Sequence, residues 1–388
     1  MRELYIRGGG RQEIAVVEDG RLVEYLLDDD HAAEAVYLGR VERVVPGMRA
    51  AFVDIGQEKN GFLPLEERNL PGAEKLQSGM AVLVQVKKEA QGSKGAFLSR
   101  DITLCGEYAL VMPLNRMIGV SARVTDEAAR SELRARGEAI ADGQFGLVMR
   151  ASAMSADESA IRDEVALLLE QWDDIRRAAP TAHVPSLVHG ARTLLDCVID
   201  DYRPHGIDRI HTNVPELAET LKEVAPVTLS SGDPVALMKL DQQRDKALER
   251  RVWLDSGGTL VIDPCEAMTV IDVNTAKFTG KRQLEETILK LNLEACREIA
   301  RQVRLRNVSG IILIDMIDME AEESRRQVLT ALEQAFAADR VKTVIHGFTS
   351  LGLIEMTRKR SRRSLRDDWS RPCPACHGKG YIKEEEHG

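Results

Sequence analysis

Between residues 35 and 100 the chain alternates apolar and polar positions in short runs: AVYLGRVERVV, MRAAFVDIG, KNGFLPLEE, MAVLVQVKKE and KGAFLSRD. Alternation with period two sends one set of side chains inward and the other to solvent. Glycines and polar turns break the runs, so five short strands at close spacing predict a small β-barrel of the OB type. From 111 to 150 the pattern mixes strand and helix and ends in FGLVMRASA, which reads as a strand carrying Arg150. The period then lengthens. Ile161, Val165, Leu168 and Trp172 share one face of a helix expected over Glu158 to Arg177, and RAAPTAHVP follows as a connector.

The C-terminal half reads as α/β. Apolar runs TLVIDP, MTVIDVN, GIILIDM and VKTVIHG alternate with two helical patterns, Leu284 to Val303 and Glu322 to Phe336. In the first, Leu284, Ile288, Leu291, Ala295 and Ile299 recur at helical spacing. Strands flanked by helices predict a central sheet with covered faces.

Composition adjusts this picture only in part. At 388 residues with 44% apolar side chains, the chain is long enough for several domains with real cores. Aromatics make up 4%, so any stacking surface is small, and a net charge of −9 excludes a wholesale electrostatic binder of nucleic acid. Local basic patches stay open. Arg358, Lys359, Arg360, Arg362, Arg363 and Arg366 are one such run, either a solvated face or a grip on phosphate. Six scattered cysteines fit a reducing compartment rather than a disulfide framework. The N-terminus MRELYIRGGGRQEI lacks the apolar segment of a signal peptide, and no apolar run approaches the ~18–20 residues of a membrane span. A soluble, cytoplasmic protein without a membrane partner is expected.

Candidate chemistry sits at two strand ends. MTVIDVNTAKFTG closes an apolar strand with Asp272 and Asn274, and GIILIDMIDM closes another with Asp315, followed by Asp318. Polar groups at strand ends of an open α/β sheet line the crevice where ligands bind. On neighbouring strands Asp272 and Asp315 converge, and two carboxylates in one crevice repel unless a cation neutralises them. Oxygen ligands beside an amide suit Mg²⁺. The competing reading has these acids cap loops or pair with Arg304 and Arg306. In the barrel, Phe52 and Phe62 fall on successive strands close to Lys94. Aromatic plus cation is how OB folds hold single strands, while a strand phenylalanine can equally fill the barrel. Near the end, RPCPACHGKG spaces Cys373 and Cys376 as in a zinc knuckle, which supplies two of the four ligands of a structural site.

The run from Arg251 to Tyr381, with VIDVNTAKFTG, GIILIDMIDM, DRVKTVIHGFTSLGLIEMTRKR and CPACHGKG in order, resembles the ribonuclease E/G family. Residues 36–104 resemble it more weakly. The resemblance implies a multidomain α/β fold: a DNase I-like and RNase H-like core, an inserted OB-fold barrel and a C-terminal zinc knuckle. Its parts would be 1–34 and 185–248 (RNase H-like), 35–104 (OB), 105–184 (5′-phosphate sensor), 249–366 (DNase I-like, catalytic) and 367–388 (knuckle and tail). It implies a Mg²⁺-dependent endoribonuclease that hydrolyses single-stranded RNA in processing and decay, of messenger and ribosomal RNA alike, leaving 5′-phosphate ends. Asp272 and Asp315 would hold the metal with Asn274 orienting them, and Phe52, Phe62 and Lys94 would touch RNA. The alternatives are a non-catalytic RNA-binding factor on the same scaffold and a DNA-directed nuclease.

Two departures follow from the same resemblance. The family grips a 5′-monophosphate with an Arg-Thr pair; here LVMRASA places Ala151 after Arg150. Read as a strand, the segment puts Ser152 on the face of Arg150, where its hydroxyl could substitute. An ordinary surface arginine is the other reading of Arg150. The family also shares one Zn²⁺ between two protomers. Cys105, Cys197, Cys265 and Cys296 are singletons, the latter two expected in packed elements, so a second copy donating its own Cys373 and Cys376 would complete the site in a homodimer. A metal-free turn, or zinc completed by His377 and water, are the other options. The family carries a further small domain after the knuckle that this sequence does not contain, which leaves assembly beyond a dimer open.

Overall fold

The computed structural model describes residues 1–9, 11–28, 33–65, 75–90, 94–191, 193–275, 284–376, 378 and 380. They form two compact units, Asp30–Pro204 and Met1–Asp29 with His205–Gly388.

In the first unit all five expected barrel strands form. Val36–Val45, Ala50–Asp54, Gly61–Pro64, Phe97–Ser99 and Ala81–Lys88 are neighbours in that order, and the last pairs back onto the first. The inward positions Val41, Ala51, Val53, Leu63, Val84 and Leu98 are buried together, as the alternation requires. Closure is tight at Gly39, where a Cβ would meet the Asp54 carbonyl oxygen at 2.8 Å. The strand Ser186–His189 adds antiparallel to Val36–Val45. A second sheet takes the order Ile118–Val120, Gly146–Met149, Ala109–Met112, Leu104–Cys105. The helix Glu158–Ala178 buries Ile161, Val165 and Leu168 against that cluster, and Glu127–Ala141 starts where the Asp126 carboxylate accepts from the Ala129 amide (2.8 Å).

The strand expected to run through Ser152 stops short of it. The strand ends at Met149, Arg150 is the residue before a 3₁₀ turn, and Ala151–Met154 form that turn. The period-two argument that put Ser152 on the face of Arg150 therefore does not hold.

The second unit holds two sheets. Val227–Leu229, Arg209–Thr212, Arg2–Arg7, Glu13–Glu18 and Arg21–Leu27 form the first; the first three are parallel, and the last two continue antiparallel. The other runs Arg251–Trp253, Thr259–Pro264, Met268–Asn274, Gly310–Asp315, Ile354–Arg358, Thr343–Phe348. Only Met268–Asn274 and Gly310–Asp315 are parallel neighbours; the other pairs are antiparallel. Helices Leu284–Leu305 and Glu322–Phe336 cover one face, where Ile271, Leu291, Ile299, Ile312, Val328 and Leu332 form the core.

Among the described residues no helix packs on the other face of this sheet, where two covered faces were expected. Val270, Asp272, Ile311 and Asp315 alternate with the buried positions and point away from the helices, and Ile311 is 46% exposed. A mixed sheet rich in antiparallel pairs needs only one buried face. No helix among the described residues is long and apolar enough to cross a membrane.

Candidate active site

Asp272 and Asp315 are direct partners in the parallel ladder, so their Cα atoms face each other across one strand spacing of about 4.8 Å. Their flanking residues explain the placement. Ile271, Val273 and Ile314 point into the helix-covered core, which forces both aspartates onto the open face. Asn274, two residues beyond Asp272 on the same face, donates its Nδ2 to Asp272 Oδ2 at 2.7 Å. Partial burial, followed by the neighbouring charges of Asp272 and Asp318, lifts the Asp315 carboxyl above its ordinary range. The expected convergence of Asp272, Asn274 and Asp315 is present. The competing partners are committed elsewhere: Arg304 binds Glu18 at 2.9 Å and Arg306 donates to Gln302 at 2.7 Å.

A residue the periodicity did not flag positions this strand end. Asn292 lies fully buried on the helix Leu284–Leu305. Its Nδ2 donates to the Ile317 carbonyl (2.8 Å), and its Oδ1 accepts from the Ile317 amide (3.2 Å). The turn between Asp315 and Asp318 is pinned at both backbone groups. The available signal was one polar residue among Ile288, Leu291, Ala295 and Ile299 on a helix meant to be buried.

The donor set fits a hard divalent cation, with carboxylate oxygens from two strands and one of them held by an amide. Among the described residues no group of three or more His, Cys, Asp or Glu is gathered to hold a metal. Two acids and substrate oxygens are the usual complement for Mg²⁺, which keeps much of its shell in water and phosphate.

On the barrel, Phe52 and Phe62 do not fill the interior. Their strand neighbours Ala51, Val53 and Leu63 do, and both rings are half-exposed on the outer face, 6.1 Å apart and edge to face. Lys94 is exposed. Gly95 packs so closely that a Cβ would stand 2.0 Å from the Asn60 carbonyl oxygen, which holds Lys94 at the start of the Phe62 strand. The row continues beyond the residues read from the sequence, to Phe97 stacked on Phe62 at 5.8 Å.

Arg150 is already bound. Its Nη1 donates to Asp200 Oδ2 at 3.0 Å and to the Gly106 carbonyl. The Ser152 hydroxyl donates to the Glu107 carbonyl, so it does not stand in for a threonine toward a ligand. Glu164 accepts from the successive amides of Glu107, Tyr108 and Ala109, and burial still raises its carboxyl above the ordinary value.

Cys373 is exposed and Cys376 half-buried. The Gly380 amide donates to Cys376 Sγ at 3.3 Å, and the amides of Cys376 and Ala375 hold the Cys373 thiol below its ordinary value. Amides aimed at sulfur are what two thiolate ligands need, so the turn fits half of a tetrahedral zinc site. His377 lies outside the described residues. Cys296 is fully buried, as expected, and its thiol is pushed up to about 12; Cys265, expected to be packed, is exposed just past its strand.

The basic run is not one surface. Arg358 is buried and grips Asp339 through two bonds of 2.7 and 3.1 Å, and Asn307 accepts a third at 2.8 Å. Lys359, Arg360, Arg363 and Arg366 are exposed. Arg358 closes a sheet strand and is removed from any role on phosphate.

An α/β sheet with paired acids on its open face, and in the same chain a β-barrel with an outward aromatic row, define a nucleic-acid-processing enzyme as a class. The "Ribonuclease E/G family" pattern matches residues 103–361. Ribonuclease G of Escherichia coli (strain K12) is 38% identical over 412 residues, covering 99% of this chain and 83% of the relative. Ribonuclease G of Haemophilus influenzae is 37% identical over 96% of this chain and 82% of its own length; ribonuclease E of Nostoc sp. is 36% identical over 96% and 58%. The chain belongs to the ribonuclease E/G family.

Proposed function

We propose that this chain, an endoribonuclease, hydrolyses single-stranded RNA in processing and decay with a divalent cation, Mg²⁺, and leaves 5′-phosphate and 3′-hydroxyl ends. The observation that carries the reading is the in-register pair Asp272–Asp315 on the open face, with Asn274 bound to Asp272. These two carboxylates would hold the cation. When bound, a divalent cation polarises the phosphodiester and stabilises charge on the attacking and leaving oxygens. The chain's own part is positional. Asn274 fixes the Asp272 carboxylate, Asn292 fixes the turn behind Asp315, and the open face admits the RNA backbone.

The barrel supports the single-strand preference, since Phe52 and Phe62 are half-exposed on its outer face and Lys94 is exposed at the start of the Phe62 strand. Arg150 is the candidate grip for a 5′-terminal phosphate, though it is already held by Asp200. Cys373 and Cys376 supply half of a Zn²⁺ site that a second protomer completes, making the protein a homodimer. The domain limits stated from the sequence and a cytoplasmic location belong to the same reading. The test is cleavage of one defined RNA with and without Mg²⁺, with both product ends mapped. Metal-dependent 5′-phosphate ends are expected; cyclic phosphate or 5′-hydroxyl ends would overturn the reading.

A further inference from the structure

The outer face of the barrel carries a row that runs straight across five neighbouring strands. Arg43 is the ladder partner of Phe52, Phe52 of Phe62, Phe62 of Phe97, and Phe97 of Lys88. Four strand spacings make the row about 19 Å long. The arginine guanidinium lies 5.4 Å from the Phe52 ring centre, and the Lys88 ammonium 5.8 Å from that of Phe97. A cation therefore closes each end of a three-ring stripe.

Phe97 is the member no motif pointed to. It is 38% exposed, although the next residue, Leu98, is fully buried in the barrel. A single exposed phenylalanine needs no explanation. Three in register, with a cation over each terminal ring, do. The Phe62 and Phe97 planes differ by only 28°, whereas Phe52 stands at 81° to Phe62. The Phe62 and Phe97 planes are thus nearly aligned, and Phe52 stands edge-on to Phe62.

We propose that Phe97 is a third base-stacking residue, which lengthens the single-stranded RNA site of the barrel by one base and delivers the following phosphate to Lys88. This rests on the reading that the Phe52–Phe62 face binds single-stranded RNA. Neutral rings flanked by two cations match a strand of stacked bases with charged linkers and do not match an apolar partner. A shorter platform of two rings would bind shorter RNA as well as longer RNA; three rings extend the length over which affinity still grows.

The experiment uses the full chain without added Mg²⁺ and a ladder of labelled oligoadenylates differing by one nucleotide. Phe97→Leu keeps apolar volume and removes the ring; Phe97→Trp restores one; Phe52→Leu serves as the reference. Losing one stacked base weakens binding roughly five- to hundredfold, so Phe97→Leu is expected to fall by that much on long oligomers. It should lose little on the shortest ones, plateau one nucleotide earlier, and recover in Phe97→Trp. Should Phe52→Leu weaken binding while Phe97→Leu matches the parent at every length, Phe97 is no platform and the two-ring reading stands. Equal binding by all variants would overturn the RNA-facing barrel itself, and the Phe97 proposal with it.

Discussion

If Arg150 grips a 5′-terminal phosphate as proposed, Ala151 leaves that grip without the threonine hydroxyl that the resemblance implies, and the surrounding residues do not return it. Ser152 is turned onto the Glu107 carbonyl, and Arg150 is engaged by Asp200 and Gly106. An incoming terminal phosphate must compete with an internal carboxylate for one guanidinium. A preference for 5′-monophosphate over 5′-hydroxyl RNA should therefore be weak. A hydrogen bond to a charged group contributes ~1.5–3 kcal/mol, so Ala151→Thr should sharpen the preference roughly ten- to hundredfold. Cleavage rates on the two kinds of 5′ end decide it. Equal discrimination in parent and variant would mean that Arg150 is not a sensor.

The elements were largely legible because their signals are local. All five barrel strands, the helix Glu158–Ala178, and the strands ending in Asp272 and Asp315 follow from periodicity. The paired acids were legible too, since an apolar strand ending in a charge is rare enough to notice. What escaped depends on tertiary context. Phe97 became visible only through its register with Phe62, Asn292 only through Ile317, and the burial of Arg358 only through Asp339. The open face of the sheet that carries Asp272 and Asp315 was hidden because strand direction cannot be read from composition.

The helix Leu284–Leu305 also carries a pH-dependent tie. Burial alone would raise the Glu298 carboxyl, but Arg301, at 2.6 Å, and Gln302 outweigh it and hold it below its ordinary value. Arg301 in turn donates to the Leu22 carbonyl at 2.8 Å, joining this helix to the Arg21–Leu27 strand. A depressed folded value means stability that is present above the unfolded carboxylate pKa and lost as pH falls through the folded one. Glu298→Gln should cost about 1–3 kcal/mol at neutral pH, with the gap to the parent narrowing below roughly pH 4. Urea melts at neutral and acid pH measure it. A gap that does not change with pH would show that Glu298 is not ionised in the fold.

For the whole molecule, the unbalanced feature is the turn with two thiols. A lone two-cysteine site would forgo much of the ~10–16 kcal/mol that a complete structural zinc site provides. A twofold partner resolves this with no further residue of the chain. Zinc analysis should then give one ion per two chains, and the Cys373→Ser, Cys376→Ser double variant should sediment as a monomer and lose activity. One zinc per chain, or a double variant that stays dimeric and active, would contradict the shared site.

Catalysis at the Asp272–Asp315 pair is the claim on which the rest depends. The direct measurement is single-turnover cleavage of one defined RNA by the parent, Asp272→Asn and Asp315→Asn, beside RNA affinity measured without Mg²⁺. Removing one electrostatic stabiliser of a transition state costs on the order of 10²–10³ in rate, and losing the cation's ligand should cost at least that. Both variants should bind RNA as the parent does and cleave it at least a hundredfold more slowly. Cleavage near the parent's rate in either variant would place the chemistry elsewhere in the molecule.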